Sequence, residues 1–138
     1  MASRYLRQFL FSFNAGLTYI EGNVVFNNGS GGMQSLKGSG VKSIVKASTG
    51  VYDINLDDSW ARYLAGSWGF VVAPAATSGI HCVEVEGDPN LTIISATAPK
   101  VRIHMLDKNG ALADPNAASV FGFTMTVRNS SVKGKGEV

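Results

Sequence analysis

The chain has 138 residues, enough for one domain with a hydrophobic core that needs no disulfide or metal. Only 16% of its residues are charged and the net charge is +2, so neither a nucleic-acid-binding surface nor a membrane-binding one is predicted. A single cysteine excludes a disulfide within the chain, and no run of eighteen apolar residues predicts a membrane span. The low charge favours a surface that is partly covered by association. The alternative is a stable monomer with a Ser/Thr/Asn surface.

The N-terminal segment alternates with a period of two, which predicts a strand. Residues 4–13 read RYLRQFLFSF and place Tyr5, Phe9, Phe11 and Phe13 on one face. Both faces are partly apolar. Residues 1–13 could therefore form a strand in the domain's own core or an arm that reaches onto a neighbouring molecule.

Residues 17–26 form a second extended stretch, and residues 27–40, NNGSGGMQSLKGSG, are predicted to be a loop. The loop is rich in glycine and buries too little apolar area to offset its ordering entropy. It does not match the GxxxxGK[ST] pattern of a phosphate-binding loop. We therefore expect the loop to lie at a surface or an oligomer contact.

Residues 41–46 and 51–56 alternate on either side of a turn at 47–50, which predicts a β-hairpin. A turn of two or of four residues gives the two strands the same facing. This predicts a shared apolar face made of Val41, Val45, Tyr52, Ile54 and Leu56.

A short helix over about residues 58–65 is predicted next. Asp57 and Asp58 are suited to cap its N-terminus, and we prefer this interpretation to a metal or acid/base pair. Trp60, Tyr63 and Leu64 follow at i, i+3 and i+4, and Gly66 is placed for a left-handed C-cap. We expect a structural hub formed by Tyr52, Asp57, Asp58, Trp60, Tyr63, Leu64 and Gly66.

The rest of the chain predicts further strands at 67–74, 80–86, 91–94, 100–106 and 119–128, followed by a polar tail over 129–138. Inward faces are predicted for Val101, Ile103 and Met105, and for Phe121, Phe123, Met125 and Val127. Cys82 lies in a strand pattern and is expected to be a small buried hydrophobe, with an interchain disulfide or a reactive thiol as the alternatives. The count of short strands predicts a single all-β domain over residues 1–138, a β-sandwich or jelly roll with one short helix.

No catalytic constellation is found in the sequence. His81 and His104 have no partners at ligand spacing, and no serine lies in a GxSxG elbow. Neither Asp53–Asp57 nor Asp107–Gly110 matches the calcium-loop pattern fully. We therefore predict a protein that is not an enzyme and has no cofactor or metal site.

Two parts of the chain resemble small virion structural proteins of tailed bacteriophages. The first is Thr49-Gly50-Val51-Tyr52-Asp53-Ile54-Asn55-Leu56-Asp57-Asp58-Ser59-Trp60 with Tyr63-Leu64. The second is Val101-Arg102-Ile103 with Asn109-Gly110-Ala111, Asp114-Pro115 and the strand ending Val127-Arg128-Asn129-Ser130-Ser131. The resemblance covers roughly the C-terminal two-thirds of the chain and carries no catalytic signature.

The resemblance implies a capsid decoration (cement) protein, located on the virion surface and made in the cytoplasm of the host bacterium. It implies the major capsid protein as partner and a homotrimer that stabilises the head. The residues expected at capsid or inter-subunit contacts are Tyr5, Arg7, Phe9, Phe11, Phe13, Met33 and Leu36. The alternative function is a tail or head-fibre module that binds carbohydrate or a receptor through exposed aromatic residues near Trp68.

Overall fold

The computed structural model describes residues 17–26, 33–57, 62–86 and 99–128, and these residues contain eight β-strands and no helix. The strands are β1 Leu17–Phe26, β2 Met33–Ser39, β3 Val41–Ser48, β4 Val51–Leu56, β5 Arg62–Val71, β6 Cys82–Glu86, β7 Lys100–Leu106 and β8 Val120–Arg128. The all-β prediction is confirmed. The predicted arm at 1–13, the strand at 91–94 and the tail at 129–138 lie outside the described residues.

The strands form two four-stranded sheets, in which every described pairing is antiparallel. Sheet 1 has the order β2-β1-β8-β5 and sheet 2 the order β3-β4-β7-β6. Side chains from the two inner faces meet in one core, which is the architecture of a β-sandwich. Among the described strands, those at the edges are β2 and β5 in sheet 1, and β3 and β6 in sheet 2.

The core is built from alternating residues of the central strands. Phe121, Phe123 and Met125 of β8 are each at most 4% exposed, and Ile103 and Met105 of β7 are fully buried. The inward faces predicted for β4, β7 and β8 are thus confirmed. The buried cluster contains Ile20, Val24, Phe26, Ile44, Tyr52, Ile54, Leu56, Val101, Ile103, Met105, Phe121, Phe123, Met125 and Val127.

The helix predicted over about 58–65 is wrong for the part that the structure describes. Residues 62–65 begin β5, which pairs with β8 from Arg62 to Val71. A two-turn helix makes too few internal hydrogen bonds to compete with a ten-residue strand pairing. Leu64 is the extra residue of a β-bulge between Tyr63 and Ala65, and this bulge interrupts the alternation that would have indicated a strand.

The facing predicted for β3 is also wrong at Val45. Val45 lies opposite Asp53 on the outer side of sheet 2 and is 50% exposed, whereas Ile44 is buried at 2%. The register shifts between Lys46 and Ser48, so one extra residue at the end of β3 reverses the facing of residues 43–46. A second shift between Val41 and Ser43 returns Val41 to the core side, as predicted.

The loop predicted over 27–40 is wrong for its second half, because residues 33–39 form β2. This strand pairs with β1 from Glu21–Ser39 to Phe26–Met33. The glycines that suggested a loop include Gly38, which lies opposite Gly22 where the two backbones approach closely. A Cβ added at Gly38 would stand 2.4 Å from the carbonyl oxygen of Glu21.

Candidate functional site

The outer face of sheet 2 is charged, and Asp53, Glu86 and Arg102 form ion pairs within it. Asp53 on β4 lies opposite Arg102 on β7, which lies opposite Glu86 on β6. The guanidinium Nε and Nη2 of Arg102 donate to the two carboxylate oxygens of Asp53 at 2.6 and 3.0 Å. Lys100 Nζ donates to the same carboxylate at 2.9 Å. The hydrogen bond from Arg102 is the main reason why the pKa of Asp53 lies below its ordinary value.

The same pairing continues to the β6 edge. Nε2 of His104 lies 2.7 Å from Oε2 of Glu86, and an Arg102 guanidinium nitrogen lies 4.0 Å from the other Glu86 oxygen. This arrangement is that of a solvated strand face in which opposite charges meet across strands.

A second polar cluster holds the connection between β7 and β8 against the β3–β4 hairpin. The carboxylate of Asp114 accepts hydrogen bonds from Tyr52 Oη at 2.8 Å, Gly50 N–H at 3.0 Å and Lys46 Nζ at 2.6 Å. Burial pushes the pKa of Asp114 upward, but these three donors outweigh it and leave the pKa below its ordinary value. The cluster is structural, because all its members satisfy one another across the hairpin turn.

The outer face of sheet 1 has the opposite character. Among the outward residues whose side chains are described, Glu21 is the one charged group. The others are Tyr19, Asn23, Val25, Ser39, Ala65, Ser67, Gly69, Val71, Val120, Gly122, Thr124 and Thr126. The described outward residues of β5 and β8 are small or uncharged, and a surface of this kind with little side-chain entropy is suited to contact with another surface.

A shallow depression of about 470 Å³ lies on this face. Gly69 of β5 and Gly122 of β8 lie opposite each other, and Asn23 of β1 is next in the same row. Ser67 and Thr124 form the neighbouring row. A Cβ added at Gly69 would meet nothing within 4 Å, so the depression is open at β5. We call Ser67, Gly69, Val71, Gly122 and Thr124 the association surface.

On the other side of β5, a cleft of about 420 Å³ separates the edges of the two sheets. Its apolar lining includes Trp68 and Phe70 from β5 and Ile80 and Val83 from the β6 side. These side chains pack against the core but are only partly buried. The β5 strand is therefore flanked by uncharged surface on both of its sides.

The predicted contact residues Tyr5, Arg7, Phe9, Phe11 and Phe13 lie outside the described part of the chain. Met33 and Leu36 lie in β2, opposite Phe26 and Val24 of β1.

The predicted hub residues are only partly brought together. Tyr52 is fully buried, Tyr63 packs against the core, and Leu64 is 38% exposed at the bulge. Gly66 pairs with Met125 in β5, so its predicted role as a helix C-cap is wrong. Asp57 is exposed just after β4, where its N–H donates to the carbonyl of Gly40 at 3.2 Å. Asp58 and Trp60 lie outside the described residues.

Two features were missed by sequence reasoning. Asp114 lies in the connection between β7 and β8, and its contacts with Lys46, Gly50 and Tyr52 span 62 to 68 residues, so no local signal could reveal them. Cys82 was predicted to be buried, but it is exposed on the outer side of the β6 edge, opposite Leu106. Its neighbours Val83 and Val85 face the core instead.

No helix in the described part of the chain is both long and apolar enough to cross a membrane. The same residues contain no group of three or more His, Cys, Asp or Glu side chains placed to hold a metal ion. Comparisons with protein-family models, with curated proteins and with solved structures found no match to this chain.

Proposed function

We propose that this chain is a non-enzymatic structural protein of a bacteriophage virion. In this proposal it is a decoration protein that associates with itself on the capsid surface and bridges major capsid subunits. The observation that carries the proposal is the difference between the two outer faces. One is charged and internally paired around Asp53 and Arg102, whereas the depression on the other, beside Gly69 and Gly122, is lined by a single charged residue, Glu21.

A protein that covers a shell needs one surface that tolerates water and another that meets protein. Paired charges on the outer face of sheet 2 are well hydrated and repel non-specific contacts. The association surface on sheet 1 has few charges to desolvate, so burying it costs little. The bacteriophage assignment itself rests on the sequence resemblance.

The N-terminal aromatic residues remain the predicted capsid contact. β1 is a central strand of sheet 1 and begins at Leu17, opposite Arg128 of β8. In the proposal, the arm of residues 1–13 that precedes Leu17 in the chain contacts the neighbouring protein.

The carbohydrate-binding alternative depends on exposed aromatic residues near Trp68. The Trp68 ring is stacked parallel to Phe121 with 5.9 Å between ring centroids, and it also packs on Phe123. A ring committed to the core in this way offers little free face for a sugar. We therefore propose no second function.

Electron microscopy of the parent particle tests the proposal. Particles carrying the full chain should show density for it on the capsid surface. A variant lacking residues 1–13 should lose that density, and a variant lacking the polar residues 129–138 serves as a matched truncation that should keep it. Absence of the full chain from purified particles would overturn the virion assignment, and unchanged occupancy by the 1–13 deletion would overturn the arm's role.

A further inference from the structure

We propose that β5 is a pairing strand for a second copy of this chain. Two β5 strands would run antiparallel across a two-fold axis and join two copies of sheet 1 into one continuous sheet. The inference concerns how the chain associates with itself. It does not depend on where the protein is located.

The first argument is the character of the edge. In the described part of the chain, β5 pairs with β8 on one side and with no strand on the other. Proteins protect free sheet edges with charged residues, proline or very short strands. β5 has ten residues, and from Tyr63 to Val71 it contains neither a charged residue nor a proline. An unprotected edge of this length is a template for another strand.

The other three edges carry such protection. β6 contains Glu84 and Glu86, β3 contains Lys42 and Lys46, and β2 contains Lys37. Glu84 and Lys42 are exposed. Of the four edge strands in the described chain, β5 is therefore the one without such protection.

The second argument identifies the occupant as another copy. A two-fold axis places a strand opposite itself, so any charge near its centre meets a like charge, which is destabilising. β6 would bring its glutamates together in this way, and β3 its lysines. Residues 65–71 of β5, AGSWGFV, lie beyond the bulge at Leu64 and bring no charges together.

The third argument is the surface that continues on either side of the edge. Val71 is 69% exposed, more than the other large exposed hydrophobic residues that the structure describes, such as Val45 at 50% and Leu112 at 45%. Gly69 leaves open space on the outer side, and Trp68 and Phe70 line the apolar cleft on the inner side. A second β5 strand would cover Val71 and narrow the cleft.

The size of the contact sets the expected affinity. A ten-residue strand is about 33 Å long, and pairing along it alone buries less than about 1,200 Å². Interfaces of this size are weak, so we expect a dissociation constant in the micromolar range. Association should then be visible between about 1 and about 300 µM.

Charge-exchanged variants test the pairing. The double variant Ser67→Lys, Gly69→Lys places lysines near the centre of β5, and Ser67→Glu, Gly69→Glu places glutamates there. Both positions are exposed, and a side chain at Gly69 meets no atom within 4 Å. Sedimentation equilibrium of wild type should approach twice the 14.6 kDa of one chain. Each double variant alone should remain monomeric, and an equimolar mixture of the two should associate again.

Thr126→Lys is the matched control, because Thr126 lies on the same outer face but outside the association surface, on the interior strand β8. This variant should associate like wild type. A wild-type chain that is monomeric at every concentration would overturn the proposal, as would a mass of three chains, the number that the resemblance implies. Double variants that associate as well as wild type would overturn it too. None of these results depends on the particle microscopy, so failure of one proposal is distinguishable from failure of the other.

Discussion

The phenol of Tyr52 donates a hydrogen bond of 2.8 Å to the carboxylate of Asp114, 62 residues further along the chain. Tyr52 is fully buried, so its hydroxyl must find an acceptor inside the protein. Burial is the main cause that raises the pKa of Tyr52, and its contact with Asp114 raises the pKa further. The pair therefore fastens the β7–β8 connection to the β3–β4 hairpin.

We expect Asp114→Ala to lower the free energy of unfolding by about 2–4 kcal/mol, because it leaves the Tyr52 hydroxyl and the Gly50 N–H without this acceptor. Asp114→Asn keeps one acceptor oxygen and should cost clearly less. Urea unfolding followed by tryptophan fluorescence measures both. A loss below about 0.5 kcal/mol for Asp114→Ala would contradict the stabilising role of this contact.

Acid should destabilise the fold through Asp53. The pKa of Asp53 is lowered in the folded state, chiefly by its hydrogen bond with Arg102. Its contribution to stability is therefore complete above the ordinary carboxyl pKa of 3.8 and is lost as the pH falls through the lower folded value. Thermal unfolding between pH 6 and about pH 2 should show a falling Tm for wild type and a smaller fall for Asp53→Asn.

Arg102→Gln provides the second arm of that experiment. It removes the donor that lowers the pKa of Asp53, so its Tm should also depend less on acid than that of wild type. If both variants kept the full acid dependence, the effect would have to come from other carboxylates.

Substitution of Gly50 should lower the stability of the fold through both backbone strain and a steric collision, and Gly110 serves as the control for strain alone. Gly50 has φ of 69°, and an added Cβ would stand 2.7 Å from the backbone nitrogen of Ala113. We expect Gly50→Ala to cost at least about 3 kcal/mol, the sum of backbone strain and this collision. Gly110 has φ of 79° but nothing within 4 Å of an added Cβ. Gly110→Ala should cost about 1–2 kcal/mol from strain alone. Equal losses in chemical unfolding would contradict the close approach at Gly50.

Which residues of β3 face the core can be tested at two neighbouring positions. Ile44 is 2% exposed and Val45 is 50% exposed. Ile44→Ala should cost about 2–5 kcal/mol, whereas Val45→Ala should stay within about 0.5 kcal/mol. If denaturant unfolding showed a larger loss of stability for Val45→Ala than for Ile44→Ala, the bulge near Ala47 would be contradicted. The facing of β3 predicted from simple alternation would then be right.

The parts of the fold that could be predicted from the sequence are those where one residue in two is apolar without interruption. Val101, Ile103 and Met105 show this, and so do Phe121 to Val127, because a strand with one face in the core selects residues at a period of two. The association surface could not be predicted in the same way. Ser67, Gly69 and Gly122 carry no pattern of their own and become a surface only when β5 and β8 are paired.

By itself, the sequence determined the class of the fold and the inward faces of its central strands, since these follow from local alternation and burial. The tertiary structure decided the rest. It selected strand over helix at Tyr63 and Leu64, because pairing with β8 outweighs a short helical pattern. It reversed the face of Val45 through one bulge, and it brought Asp114 to Tyr52 across 62 residues. Register and long-range hydrogen bonds depend on which strands become neighbours, and no local stretch of sequence contains that information.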